Sequence, residues 1–260
     1  MASRKEEKER LRAQRLAAER ASQSGGRRRL MAGYAVAGIL TLAVVAGLVA
    51  VIASGGGGGS GVDFCSEAHI KNSGGTARGL EPDCRTGTPP PALQFADLNV
   101  SAERAGCQVK LDLPDEGSTH VPNSTDVNYG TVPPTSGNHN QVPIDDGAYK
   151  TEITSDTSKP TNIRNEVHAM EHGRIEIHYK PSLPEDQQLA LKGVFDDDPD
   201  GILLYPDPDM PYDVAVTAWT NEVVCPNFNP VVLDVIRNFR DTYRGNGPEQ
   251  GIPINGLQDL

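Results

Sequence analysis

The longest uninterrupted run of apolar and small positions lies near the N-terminus. Residues 30–53 contain no charged side chain. A helix of this length rises about 36 Å, which is enough to cross the roughly 30 Å hydrocarbon core of a bilayer. The apolar region of a cleaved signal peptide is shorter, about 7–15 residues. The pattern therefore predicts a retained transmembrane helix.

The segments on either side of this span differ in charge. Residues 1–29 carry a net charge of +6 and end in three arginines, whereas residues 54–61 contain only glycine and serine. Positive residues stay on the cytoplasmic side of a span, which predicts a cytoplasmic N-terminal tail and an extracytoplasmic remainder. The Gly/Ser segment is typical of a flexible tether. We expect a single-pass protein of the plasma membrane.

Beyond the tether, the hydrophobic pattern predicts a mixture of strands and helices. Four segments have the alternation or apolar character of strands: 108–113, 174–179, 202–205 and 213–224. Two have helical spacing: 184–194 and 230–243. Their irregular order predicts an α+β fold with a mainly antiparallel sheet and two helices. We assign residues 62–106 to a loop-rich extension and residues 107–260 to the α+β domain.

The charge balance restricts the classes of partner. The whole chain has a net charge of −11, and the part after the span has −17. Such a surface repels nucleic acid and anionic lipid, and it attracts cations. We therefore expect no nucleic-acid partner. A protein partner in the cell envelope remains open, as does the oligomeric state.

All four cysteines lie after the span, on the predicted extracytoplasmic side. An even number of cysteines outside the cell indicates two disulfides, for which three pairings exist. We favour a local Cys65–Cys84 bridge and a long-range Cys107–Cys225 bridge. A thiolate metal site is not favoured because the chain has no Cys-x-x-Cys spacing.

Residues 166–179, with the sequence EVHAMEHGRIEIHY, are the strongest chemical signal. His168 and His172 are four positions apart, so they lie on one side of either a helix or a strand. In a strand Met170 joins them, whereas in a helix it turns away. Imidazole with thioether suits copper, and imidazole with carboxylate suits zinc or iron. The pattern predicts a metal site, copper before zinc, with Met170 and His178 as auxiliary ligands.

Residues 129–149 are rich in proline, glycine and asparagine, which is typical of a stiff loop that covers a site or a sheet edge. This loop contains His139, and His120 precedes it. Either histidine could supply a further ligand to His168 and His172. The alternative is that these histidines are hydrogen-bonded structural anchors, and acid–base catalysis is a third interpretation.

An acidic segment at 196–207 resembles a calcium-binding loop. Asp196, Asp198 and Asp200 occupy positions that an EF-hand uses for its first ligands. Asp207, however, stands where the bidentate glutamate is required, and prolines interrupt the loop. We therefore do not expect calcium here.

No sequence motif establishes an enzyme. Residues 136–139 read Ser-Gly-Asn-His, but no Gly-x-Ser-x-Gly nucleophile elbow is present. His168, Glu171 and His172 are a permutation of the zincin motif, which needs its glutamate beside the first histidine. A hydrolase with a His–Glu pair is thus the third hypothesis, after metal binding and a structural or protein-interaction module of the envelope.

Several segments together resemble an uncharacterised family, domain of unknown function 3105. The matching segments are 120–122, 129–139, 147–149, 167–179 and 210–219. Members similar to this chain are bacterial or archaeal and often have an N-terminal membrane segment. The resemblance implies no activity. It does imply that the motif histidines belong to one constellation.

Overall fold

The computed structural model describes Cys65, residues 79–249 and residues 251–254. The predicted tail, transmembrane helix and tether, at 1–61, lie outside these residues. Across the described part of the chain, no helix combines the length and the apolar character that a membrane crossing requires.

Four helices and six strands form the described domain. The helices are α1 (Leu98–Ala105), α2 (Ile163–Glu171), α3 (Glu185–Asp197) and α4 (Val232–Tyr243). The strands are β1 (Gln108–Lys110), β2 (Gly147–Ala148), β3 (Ile175–Tyr179), β4 (Ile202–Pro206), β5 (Val214–Ala218) and β6 (Asn221–Cys225).

The strands form one mixed sheet in the order β1-β6-β5-β3-β4-β2. The pairs β1–β6, β6–β5 and β5–β3 are antiparallel, whereas β3–β4 and β4–β2 are parallel. The α+β class is confirmed, but the sheet is less antiparallel than expected. For the β3–β4 pair the reason is α3, which connects the two strands and so allows them to run in the same direction.

The prediction of two helices was wrong, since α1 and α2 are additional. Helix α1 has only eight residues and a weak apolar pattern. All nine residues of α2 are buried, including charged and polar ones, so the helix lacks the one-sided pattern of a surface helix. The predicted run 213–224 is also divided into two strands by a turn at Trp219 and Thr220.

The sheet has an apolar face and a polar face, both buried. On β3, Ile175 and Ile177 belong to the main hydrophobic core, together with residues of α1, α3 and α4. Glu176 and His178 alternate with them, point to the opposite face, and are also fully buried. Helix α2 lies on this second side, where Ala169 clusters with apolar residues of β4. The polar residues of β3 are thus enclosed between the sheet and α2.

Two disulfides join the pairs favoured from the sequence, Cys65–Cys84 and Cys107–Cys225. The second bridge links the residue before β1 to the end of β6, its antiparallel neighbour. It closes a loop with a sequence separation of 118, against 19 for the first bridge. The longer loop restricts the unfolded chain more strongly.

We expect the double substitution Cys107→Ala/Cys225→Ala to lower the free energy of unfolding by about 2–5 kcal/mol, because it removes this restriction. The matched control, Cys65→Ala/Cys84→Ala, should cost about 1–2 kcal/mol less, in keeping with its shorter loop. Urea denaturation followed by circular dichroism measures both. Equal losses would contradict the loop-length argument.

Candidate metal centre

Helix α2 places three potential ligands on one of its sides. Its N-terminus is closed by a capping box between Asn162 and Asn165, which sets where the helix begins. His168, Glu171 and His172 follow at i, i+3 and i+4, the spacing of neighbours on a helix surface. The helix ends at Glu171, and Gly173 with φ 79° turns the chain away into β3.

Two loops bring further histidines to this side of α2. His120 and His139 form an isolated β-bridge, in which the Val121 N–H donates to the His139 carbonyl and the His139 N–H to the Thr119 carbonyl. The second loop is bound to α2 in turn, because the Asn140 N–H donates to the carbonyl oxygen of Arg164 at 2.9 Å. Backbone hydrogen bonds therefore position both rings.

His120, His139, His168 and Glu171 form what we call the His–Glu cluster. One nitrogen or oxygen from each lies within 4.8 Å of those from the other three. The ring centroids are 5.0 Å apart for His120 and His139, and 4.8 Å apart for each of these rings and His168. Three of the histidines predicted as candidate ligands are thus placed together.

Two backbone carbonyls determine the tautomers of the buried rings. The Nδ1 of His139 lies 2.8 Å from the Gly137 carbonyl oxygen, and the Nδ1 of His168 lies 2.6 Å from that of Asn140. A carbonyl can only accept a hydrogen bond, so each Nδ1 must carry the hydrogen. The Nε2 of each neutral ring is then the unprotonated nitrogen and offers a lone pair. This is how outer groups orient histidines that bind metals.

The buried end of the cluster places two acceptors face to face. The Nε2 of His139 lies 3.0 Å from a carboxylate oxygen of Glu171. This nitrogen is buried and has no hydrogen-bond partner apart from that carboxylate, which acts to raise the pKa of His139 against the larger lowering by burial. A lone pair and a carboxylate oxygen do not attract each other, so this approach is stabilised only when a proton or a cation lies between them.

Burial keeps the inner rings neutral. Desolvation is the main cause that lowers the pKa of His139, and it lowers the pKa of His168 to about 4. The pKa of His172 is also lowered, again mainly by burial. Neutral imidazole is the form that binds a metal ion. His120, whose side chain is 49% exposed, opens the cluster to solvent.

A second group overlaps the cluster at its outer edge. The Nε2 of His172 lies 3.0 Å from the Nε2 of His168 and 3.0 Å from a carboxylate oxygen of Glu249. Because the Nδ1 of His168 is bound to a carbonyl, only its Nε2 is available, and it can serve one ion at a time. The two groups are therefore alternatives for a ligand, not two independent sites.

The C-terminal segment brings Glu249 to this edge. The Glu249 N–H donates to the Glu171 carbonyl oxygen at 3.2 Å. Gly247 packs so closely against the end of α2 that an added Cβ would lie 2.2 Å from the same oxygen. Only glycine fits this approach.

The remaining predicted ligands lie elsewhere. Met170 packs with Val167 and Trp219 in an apolar cluster, as the helical alternative predicted. His178 is fully buried and belongs to a separate polar group on the sheet.

In the acidic segment, the carboxylates bind basic side chains. Asp196 pairs with Lys192, and Asp198 pairs with Arg244 and Arg240. Asp200 accepts a hydrogen bond from Arg244 through its carbonyl oxygen. The contacts of Asp198 and Asp200 hold the turn after α3 against the end of α4, whereas the Asp196–Lys192 pair lies within α3.

Sequence reasoning missed the two carboxylates as ligands. Glu171 could have been found, because it lies three positions after His168 and would share its face in a helix. Glu249 had no local signal, since it reaches the site only through the packing of the C-terminal segment.

The fold and the site define a disulfide-linked α+β domain with a histidine- and carboxylate-rich centre. The chain belongs to the family described as "Protein of unknown function (DUF3105)", whose model matches residues 120–256, more than half of the chain. The matched residues include every member of the His–Glu cluster. No curated protein and no solved structure matched the chain.

The lowered pKa of His168 predicts a loss of stability in acid. The unfolded chain takes up a proton at this histidine near pH 6.5, whereas the folded chain does so only near pH 4. The contribution of His168 to the free energy of unfolding is therefore fully present above about pH 6.5. It is lost as the pH falls toward 4, by at most about 3 kcal/mol.

The variant His168→Gln should lose less stability than the wild type between pH 7 and pH 4. Urea denaturation of both proteins in the presence of a chelator measures the difference. Parallel stability curves would show that His168 does not carry this dependence.

Proposed function

We propose that the His–Glu cluster binds one divalent transition-metal ion. The observation that carries the proposal is the approach of the buried His139 Nε2 to the Glu171 carboxylate, at 3.0 Å and with no hydrogen-bond donor on that nitrogen. A metal ion between the two would replace this unfavourable contact with two coordinate bonds. His168 supplies a second lone pair held in the same way.

The donor set favours zinc over copper(I). Three imidazoles and a carboxylate are borderline ligands suited to divalent zinc, copper or iron. The soft thioether that would favour copper(I) is absent from the cluster, because Met170 packs with Val167 and Trp219. The distances from Glu171 to His139 and His120, 3.0 and 3.9 Å, bracket the roughly 3.3 Å between ligand atoms of a tetrahedral zinc site. We therefore place zinc before copper.

The number of ligands favours binding over hydrolysis. Catalytic zinc usually keeps one position for water and has three protein ligands, whereas structural zinc has four. The His–Glu cluster offers four. Its exposed member, His120, gives an ion access from solvent. We infer reversible metal binding, in which an ion enters and leaves on the His120 side.

The N-terminal apolar run and the acidic remainder of the chain bear on where the metal is bound. The apolar run at 30–53 and the arginines before it support an anchor with the domain outside the plasma membrane. The net charge of −17 after the span favours cations near the domain. We propose that the protein binds metal at the cell envelope.

A structural module is the second candidate function. The hydrogen bond from His168 to Asn140 would tie the loop to α2 without any metal, and the one from His139 to Gly137 would orient the ring within the loop. In that case the histidines stabilise the fold directly, and substitution lowers stability whether metal is present or not.

Zinc should raise the melting temperature of the full chain, purified in detergent. At 100 times its dissociation constant, an ion that binds only the folded state adds about 2.7 kcal/mol, or several degrees. His139→Gln and Glu171→Gln should each remove most of this rise. Glu185→Gln, which changes an exposed glutamate of α3, is the matched control and should retain it. Differential scanning calorimetry with Zn²⁺, Cu²⁺ and Cu⁺ gives the metal preference.

The following pair of results would contradict metal binding. If no metal raises the melting temperature, while His139→Gln melts lower than the wild type, the metal proposal fails. The histidines are then structural anchors.

A further inference from the structure

A further group of potential ligands, distinct from the His–Glu cluster and from the group at its outer edge, lies on the opposite side of α2. It packs against the polar face of the sheet. Glu166 of α2 and Glu176 and His178 of β3 each place one ligand atom within 4.8 Å of the other two. Glu166 is 1% exposed, and Glu176 and His178 are 0% exposed. This group, which we call the buried Glu–His group, shares no residue with the His–Glu cluster.

The buried Glu–His group has no basic side chain to balance its carboxylates. Among the described residues, no lysine or arginine pairs with Glu166, Glu176 or the neighbouring Asp207. Glu222 shows the usual solution on the same face of the sheet, where Lys110 binds its carboxylate at 2.7 Å. Burying an unpaired carboxylate is costly and raises the pKa of both Glu166 and Glu176, so each group needs either a proton or another source of positive charge.

The hydrogen bonds around the group leave its centre unsatisfied. The Tyr205 hydroxyl donates to Glu176 at 2.8 Å, and the Thr217 hydroxyl lies 3.0 Å from the His178 Nε2. One carboxylate oxygen of Glu166 and one of Glu176 are buried without a hydrogen-bond partner, and the other oxygen of Glu176 lies 3.8 Å from the His178 Nε2. These unpartnered atoms are a second observation, independent of the acidic composition, that indicates a ligand.

The surroundings would also support a bound ion. The Tyr205 hydroxyl orients the Glu176 carboxylate. The Nδ1 of His178 lies 3.6 Å from an Asp207 oxygen, beyond hydrogen-bond distance. Carboxylate and imidazole ligands held by outer hydrogen bonds are typical of metal sites.

We propose that Glu166, Glu176 and His178 bind a second divalent cation inside the domain. Two carboxylates and one divalent ion form a neutral unit, which removes the cost of burying the charges. The oxygen-rich set suits manganese, iron(II) or zinc. Because all three ligands are buried, the ion cannot exchange with solvent while the domain is folded. The site is therefore structural, and its ion is incorporated during folding.

The experiment compares metal that resists a chelator with metal that does not. The full chain is produced with Mn²⁺, Fe²⁺ and Zn²⁺ in the medium, purified in detergent, dialysed against EDTA under native conditions, and analysed for metal by mass spectrometry. We expect one equivalent to remain in the wild type and to be released by EDTA in urea. Glu166→Gln and Glu176→Gln should each lose it. Glu222→Gln, a buried glutamate already paired with Lys110, should retain it.

The wild-type measurement alone can overturn the proposal, whatever the variants do. A folded wild-type chain without chelator-resistant metal would show that protons or water satisfy the group. Retention of the metal in Glu176→Gln with a native circular dichroism spectrum would overturn it as well. Glu171→Gln changes only the solvent-accessible cluster and should keep the resistant ion. Failure of either metal proposal is thus distinguishable from failure of the other.

Discussion

The hydrogen bonds from the Nδ1 atoms of His139 and His168 to backbone carbonyls are the constraint on which the candidate centre depends. The His168 bond attaches the loop to α2, the His139 bond orients that ring within its own loop, and both leave Nε2 as the nitrogen with the lone pair. The unprotonated Nε2 of His139 then faces the Glu171 carboxylate, and two facing acceptors favour a cation between them. The same bonds thus explain both the local structure and its proposed chemistry. Without them, either ring could turn its protonated nitrogen inward.

Helix α2 connects the two metal proposals through its burial on every side. One side carries His168 and Glu171 toward the loops, and another carries Glu166 toward β3. A helix enclosed in this way cannot rely on an apolar stripe for its position. Instead, its capping box, the loop attached at Arg164 and the close packing of Gly247 hold it in place. The exposed His120 and the enclosed His178 then give the two groups opposite access to solvent.

Local patterns were sufficient for much of the fold but not for its topology. The alternation at 174–179 and the apolar run at 202–205 correspond to β3 and β4, and the predicted helices correspond to α3 and α4. The sequence pattern did not predict helix α2, because polar residues occupy positions that are buried by the elements packed around it. The parallel pairing of β3 with β4 was also missed, since alternation along a strand does not specify which neighbour it pairs with.

The sequence by itself determined which residues have the chemistry for a metal centre. It singled out the histidines of 166–179 and of the preceding loop, and it favoured both disulfide pairs. Only the tertiary structure decided that His120, His139 and His168 meet at Glu171, and that Met170 and His178 face elsewhere. The physical reason is that residue type and spacing act along the chain. The convergence of ligands depends on how separate loops, a helix and the C-terminal segment pack together, which no local pattern specifies.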